Sequence, residues 1–364
     1  MRPKILFDNI VFSIQQIGGI SVVWFEILKR LLKDDRFDVR CMEFSDATDN
    51  YYRKLLNIND DRLINEGGRI AFQLKRYINP HLNDNAPFIF HSSYYRTARN
   101  RNAVKVTTVH DFVYERSGSK DLPTKVHIWQ QKNAVMNSDV IVCISENTKR
   151  DLLSFYHNVD ECKVHVVYNG VSDDYRIIES NVDNKFPFKR GTYCMYVGGR
   201  PAYKNFRLAV DSVAATAYNF VIVGPKLSQA EEQMLKDKLG ERRYVAMSKV
   251  PNEDLNILYN GAFCLLYLSS YEGFGIPCIE SQKAGCPVIA YNGSSIPEVV
   301  ADRDSLITCL GVEEVLKKIK RLENMDLRMD LITGGVKFAE KFSWDNTYNN
   351  LTSLYLDAIN SRGL

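Results

Sequence analysis

YEGFGIPCIESQKAGCPVIA, residues 271 to 290, contains a strand-to-helix turn and the strand that follows it. The preceding strand reads as ending near Leu268, and the loop after it holds Glu272, Gly273 and Gly275. Pro277 stands in the first turn of a helix, where a missing N–H costs nothing, and Gly285 closes that helix before the strand Pro287 to Ala290. At the carboxyl edge of a parallel sheet, free backbone N–H groups from Phe274 to Cys278 and the positive end of the helix dipole form an anion site. Glu272 and Glu280 would repel a phosphate. As hydrogen-bond acceptors for hydroxyl groups they make sense, so the predicted ligand has both phosphate and sugar parts.

The same alternation of strand and helix runs outward in both directions, as expected of parallel βαβ units. Ile5 to Phe12 reads as a strand, a loop carries Gly18 and Gly19, and Ile20, Val23, Trp24, Ile27, Leu28 and Leu31 share one helical face. Further strands are predicted at Phe88 to His91, Val104 to His110, Val140 to Ile144 and Val164 to Tyr168. Ser145 is placed to cap a helix reaching Ser154. The polar stretch from Asp173 to Gly191 breaks the period and reads as a linker. A second series follows, with strands at Tyr193 to Val197, Phe220 to Val223, Phe263 to Leu268 and Pro287 to Ala290. A last helix carries Tyr348, Leu351, Leu354, Tyr355, Ala358 and Ile359 on a face that must pack somewhere. A chain of 364 residues exceeds one ordinary core, which favours two domains.

Composition excludes several classes. With 45% hydrophobic and 25% charged residues the chain is globular, and a net charge of +3 is too small to imply a nucleic-acid partner. Eight cysteines without a CxxC pair read as reduced, buried thiols. The first residues lack the length and cleavage site of a signal peptide, and no apolar run is long enough to span a bilayer. The expected location is the cytoplasm, with peripheral contact at the inner face of the membrane left open.

Other polar groups fall at predicted strand ends. Arg200 and Lys204, in YVGGRPAYKNF, can neutralise a diphosphate. His110 and Asp111 end the strand in VTTVHDFVYE, where ligand sites gather. Gly18 and Gly19 do not complete GxGxxG. Ser295 and Glu298 have the spacing of a helix capping box. Asp302 and Asp304 form a DxD pair that reads as solvated loop, with no metal inferred. Arg96, Arg99 and Arg101, beside Tyr94 and Tyr95, form a small basic and aromatic stretch that could meet lipid phosphates.

The run EGFGIPCIE, with seven residues between its glutamates, resembles family 4 of the retaining glycosyltransferases, and the likeness extends over essentially the whole chain. The resemblance implies an α/β fold of the GT-B type, two Rossmann-like doubly wound domains facing a central cleft. Residues 1–180 with a returning helix at 345–364 would bind the acceptor, and 190–344 the nucleotide-sugar donor. It further implies that Glu272 contacts the donor sugar and Glu280 the ribose. Phe274, Gly275 and Ile276 would offer backbone amides to the donor, and Arg200 and Lys204 would stabilise the leaving nucleoside diphosphate. Gly19 would approach the phosphates, and His110 would line the active site through a polar contact. No metal and no cofactor are expected, the nucleotide-sugar being a substrate. The implied reaction is a retaining, hexosyltransferase-type transfer to a glycan or lipid-linked acceptor in bacterial surface polysaccharide biosynthesis. Two rivals remain: a catalytically silent nucleotide-sugar-binding partner subunit, and a dinucleotide-dependent oxidoreductase, which should show GxGxxG after its first strand.

Overall fold

The computed structural model describes residues 2–179 and 187–362, so 180–186, within the expected linker, lie outside it. The chain divides into two compact units. One runs to Gly170 and regains the segment from Trp344; the other is Val171–Ser343.

The first unit holds seven strands: β1 (Lys4–Asp8), β2 (Asp38–Glu43), β3 (Leu63–Asn65), β4 (Phe88–Ser92), β5 (Ala103–Val109), β6 (Val140–Cys143) and β7 (Val164–Val166). They form one parallel sheet in the order β3-β2-β1-β4-β5-β6-β7. Helices cover both faces of such a sheet, so its central strands are continuous apolar runs; Phe88, Ile89 and Phe90 are all buried. β2 and β3 escape the apolar pattern because they carry exposed polar positions, Asp38 and Arg40 in one and Asn65 in the other. The first strand is also shorter than predicted. It ends at Asp8, and Val11–Ile14 forms a helical turn. The chain turns there because Asn9 is captured: its side chain accepts from Trp24 Nε1 at 2.8 Å and donates to Glu43 at 3.2 Å.

Helix Gly19–Leu31 buries Val23, Trp24, Ile27, Leu28 and Leu31 against this sheet. Ser145 caps helix Glu146–Phe155, accepting from the Thr148 amide at 3.0 Å. The final helix, Trp344–Asn360, packs its Tyr348, Leu351, Tyr355 and Ile359 into the same core. Tyr355 Oη lies 2.5 Å from Nδ1 of His91, whose Nε2 meets Thr108 Oγ1 at 2.9 Å. Burial pushes the His91 imidazole down to about 3, so it is neutral and one ring nitrogen must accept.

Arg96 is not part of a solvated basic stretch. Its guanidinium is 1% exposed and pairs with Asp8 and Glu66, each at 2.5 Å, while Arg99 and Arg101 face solvent. An arginine between two carboxylates has no charge left for a lipid phosphate.

The second unit repeats the plan with β8 (Tyr193–Val197), β9 (Asn219–Val223), β10 (Tyr244–Met247), β11 (Cys264–Tyr267), β12 (Val288–Tyr291) and β13 (Leu306–Ile307), in the order β10-β9-β8-β11-β12-β13. β10 and β13 went unpredicted because one is half-exposed and the other has two residues. The cysteines are all free, with Cys194 and Cys264 facing each other on adjacent strands, Sγ to Sγ 3.7 Å. Cys162 and Cys309 depart from the buried expectation because they lie outside the strands, on the surface. Among the described residues no helix is long and apolar enough to cross a membrane.

Tyr355→Phe tests the docking of the last helix. It leaves a buried imidazole nitrogen without its partner, a cost of about 1–3 kcal/mol. The expected result is a melting temperature lower by several degrees; an unchanged melt would mean the contact contributes nothing to the unit.

Candidate active site

In an open parallel sheet, ligands bind beyond the carboxyl ends of the strands where the winding reverses. In the second unit that point lies between β8 and β11. The chain leaves β8 through Gly198, whose φ of +130° suits only glycine. A Cβ there would sit 3.8 Å from Lys204 Nζ. The loop is then tied to the one after β11. Asn205 Nδ2 donates to the Leu268 carbonyl at 2.8 Å, and the Ser270 amide donates to the Tyr203 carbonyl at 2.8 Å.

This stitching brings two of the expected site residues together: Lys204 Nζ lies 2.9 Å from Glu272 Oε1, and both side chains are largely buried. Charge holds the pair without hydrogen-bond geometry, since Glu272 Oε1 is buried and has no hydrogen-bond partner. Lys204 also lies 5.9 Å from the ring centre of Tyr267. The Glu272 loop is held from behind by residues 294 and 295. The Glu272 amide donates to Ser294 Oγ at 2.8 Å, and Ser295 Oγ donates to the Glu272 and Phe274 carbonyls at 2.9 Å. Ser295 is therefore not the side-chain cap its spacing suggested; no cap bond forms, and the hydroxyl braces the glutamate loop instead.

Gly275 begins helix Ile276–Lys283 with φ +104°, and a Cβ there would come within 2.8 Å of Ile296 Cδ1. Of the amides expected to be free, that of Cys278 is taken by the Gly275 carbonyl at 3.0 Å, and Pro277 has none. Gly275 and Ile276 remain the leading residues of the turn. One turn on, Glu280 accepts from the Tyr259 hydroxyl at 3.1 Å. Desolvation raises its pKa to about 7, partly offset by hydrogen bonds from Tyr259 and Tyr175.

Arg200 is already paired. Its Nε donates to Glu231 at 2.7 Å and its Nη2 to the Pro225 and Lys226 carbonyls, at the end of β9. Its Nη1 is buried without a hydrogen-bond partner. Nothing local to Glu231 signals this role; its spacing from Ser228 marks only a capping box, which also forms. The DxD acids differ: the Asp304 side chain is exposed, as a solvated loop residue should be, whereas Asp302 is engaged. Asp302 accepts from Arg321 and Ser305, both at 2.7 Å, so it is an ion-paired turn residue rather than a solvated one.

In the first unit His110 follows β5, and burial pushes its pKa down to about 4. Asp111 braces the loop by accepting from the Val113 amide at 3.0 Å. Gly19 opens helix Gly19–Leu31 with free space where a Cβ would stand. The crowded glycine is Gly18, where a Cβ would fall 2.2 Å from Gln15 Oε1.

Two doubly wound units, each a parallel sheet with a switch point beside its first strand, are the architecture of the GT-B class of glycosyltransferases. Residues 17–175 match the family model described as Glycosyltransferase Family 4, and residues 179–338 match Glycosyl transferases group 1. The chain belongs to family 4 of the glycosyltransferases. It is 24% identical over 388 aligned positions to O-antigen chain mannosyltransferase B of Escherichia coli, covering 97% of this chain and 99% of that one. To O-antigen chain mannosyltransferase RfbU of Salmonella typhimurium it is 27% identical over 203 residues, 55% of this chain and 54% of that one. Its fold resembles that of Anabaena Alr3699/HepE, solved in complex with UDP and glucose, with a TM-score of 0.72, 15% identity, and coverage of 98% and 100%. These matches do not favour the oxidoreductase or silent-subunit alternatives.

The Glu280 carboxyl yields a test with a defined sign. Between about pH 4.5 and pH 7 the folded protein keeps a proton that the unfolded chain has released, so this group's contribution to stability falls as pH rises through that window. Glu280→Gln abolishes the titration. Its melting temperature should fall less from pH 4.5 to 7 than the parent's, whereas parallel curves would mean that Glu280 titrates like an exposed acid.

Proposed function

We propose that the chain transfers a hexose from a nucleoside-diphosphate sugar to a glycan or lipid-linked acceptor, with retention and without a metal, in bacterial surface polysaccharide assembly. The observation that carries this reading is the Lys204–Glu272 pair at the β8/β11 switch point. A diphosphate drawn to Lys204 takes over the ammonium, and the released carboxylate accepts from a hydroxyl of the donor sugar. Gly275 and Ile276 contribute amides at the head of their helix, with Phe274 beside them. Glu280, fixed by two tyrosines, accepts from the ribose.

As the bond from the anomeric carbon to the phosphate oxygen breaks, negative charge grows on the departing diphosphate. Lys204 and the unpartnered Nη1 of Arg200 meet that charge, in the role a metal fills elsewhere. The acceptor oxygen bonds to the anomeric carbon on the face the diphosphate leaves, and its proton passes to a phosphate oxygen of the leaving group. With its pKa near 4, His110 stays neutral at physiological pH and gives a polar contact rather than acting as the main base. The full-length relationship to an O-antigen mannosyltransferase supports the polysaccharide setting. A cytoplasmic enzyme peripheral to the inner face of the membrane would meet both a nucleotide-sugar and a lipid-linked acceptor.

Steady-state transfer at saturating donor tests the roles. Lys204→Ala should raise the barrier by about 2–4 kcal/mol and so lower turnover roughly 30- to 900-fold, because the lost contact strengthens in the transition state. Arg200→Ala should cost less, with part of its loss coming from the freed Glu231. Near-parental turnover by folded Lys204→Ala would move the diphosphate elsewhere.

Chelation gives an independent check. Transfer should be the same in EDTA as in magnesium, and loss in EDTA that magnesium restores would overturn the metal-free reading.

A further inference from the structure

Helix Leu122–Met136 joins β5 to β6, and Asp121 caps it by accepting from the Thr124 amide at 2.7 Å. Its inner face grips the carboxyl edge of the first sheet. Gln131 Nε2 donates to the Asp111 carbonyl at 3.1 Å, and His127 Nδ1 pairs with Tyr94 Oη at 2.9 Å. Its outer face has a different composition. At 3.6 residues per turn, Leu122, Lys125, Trp129, Lys132 and Met136 fall within about 80° of arc, and all five are exposed.

Leu122 is 73% exposed and Trp129 58%, which an ordinary solvated helix back does not require. Apolar side chains recur every seven residues, with a lysine set between each pair. No aspartate or glutamate occurs from 122 to 136, so nothing on the helix neutralises those lysines. The neighbouring helix Arg69–Lys75 adds exposed Ile70 and Leu74, beside a segment whose Arg76 carbonyl accepts from Gln130 Nε2 at 3.0 Å. A protein interface also buries tryptophan and methionine, but its core is depleted in lysine, whereas here lysines stand between the apolar groups. A layer of anionic headgroups over hydrocarbon matches both features, with lysines at the phosphates and tryptophan at the boundary.

We propose that the outer face of helix Leu122–Met136 is a docking surface for an anionic lipid bilayer. It gives a location to the membrane contact in the reading above. Because the inner face of the same helix holds the loop of His110 and Asp111, docking sets the carboxyl edge of the first unit close to the lipid surface. Binding needs neither donor nor turnover, so its failure leaves the transferase reading untouched.

The chain carries its own probe. Of its three tryptophans, Trp24 and Trp344 are buried, at 2% and 5% exposure, so a change on lipid binding reports Trp129. The full chain is titrated with vesicles of phosphatidylcholine alone and of phosphatidylcholine with phosphatidylglycerol, following tryptophan emission and co-sedimentation. Expected are a blue shift and sedimentation with the anionic vesicles only. Trp129→Phe should lose the shift, and Lys125→Glu/Lys132→Glu should bind at least about tenfold more weakly. No binding to anionic vesicles, equal binding to both compositions, or undiminished binding by the charge-reversed variant would overturn the proposal. A blue shift that depends on protein concentration without lipid would assign the face to a second copy instead.

Discussion

The candidate site depends on the reversal of winding at the centre of its sheet, and the other sheet has the same reversal. In both units the first strand is central, the next two are added on one side, and the fourth is laid against the first on the other. Right-handed crossovers then send the helices of the two halves to opposite faces, so no connection seals the carboxyl ends of the central pair. The two units use the same point differently. In the first, Asp8 at the end of β1 is bound by Ser92 at the end of β4 and by Arg96, all buried. Charges so fully desolvated are costly, and removing one partner would leave the other stranded. They make a rigid frame. In the second, the lysine and glutamate keep some exposure, and the pair can exchange partners.

The sequence made the centre of the fold visible and hid most of its margins for one reason, the mostly apolar edge strand β7 being the exception. A parallel strand covered on both faces is apolar throughout, so β4, β5, β8, β9 and β11 stood out. β2, β3, β10 and β13 sit toward the sheet edges or are very short, where polar residues are tolerated and period fails as a signal. The site was legible to the same depth. The turn from Glu272 to Glu280 is local, and its glycines and proline announce its backbone.

What stayed hidden is set by side chains meeting across the sheet. Arg96 and Arg200 each read as free cations, yet one is enclosed by Asp8 and Glu66 and the other is held by Glu231, thirty-one residues away. Ser295 has the spacing of a cap, but its hydroxyl reaches carbonyls more than twenty residues earlier. Local spacing describes what a side chain can do for its own helix. It is silent about competitors from another loop, and here the competitor won.

The two glutamates show how environment divides labour between identical groups. Glu272 has an ammonium at 2.9 Å, whereas Glu280 has two tyrosine hydroxyls and a desolvated setting. The first is ready to act as an anion, provided something more attractive draws Lys204 away. The second gains its full accepting power only when ionised, which near neutral pH lies within reach of a single new donor. A ligand bearing both a diphosphate and hydroxyl groups satisfies the two requirements together: its charge competes for the lysine, and its hydroxyls compensate both carboxylates. A simple anion would take Lys204 and leave Glu272 uncompensated, and a neutral sugar would not displace the lysine at all. On the proposed reading the pairing would select for the combined ligand, through the resting arrangement of one lysine and two acids.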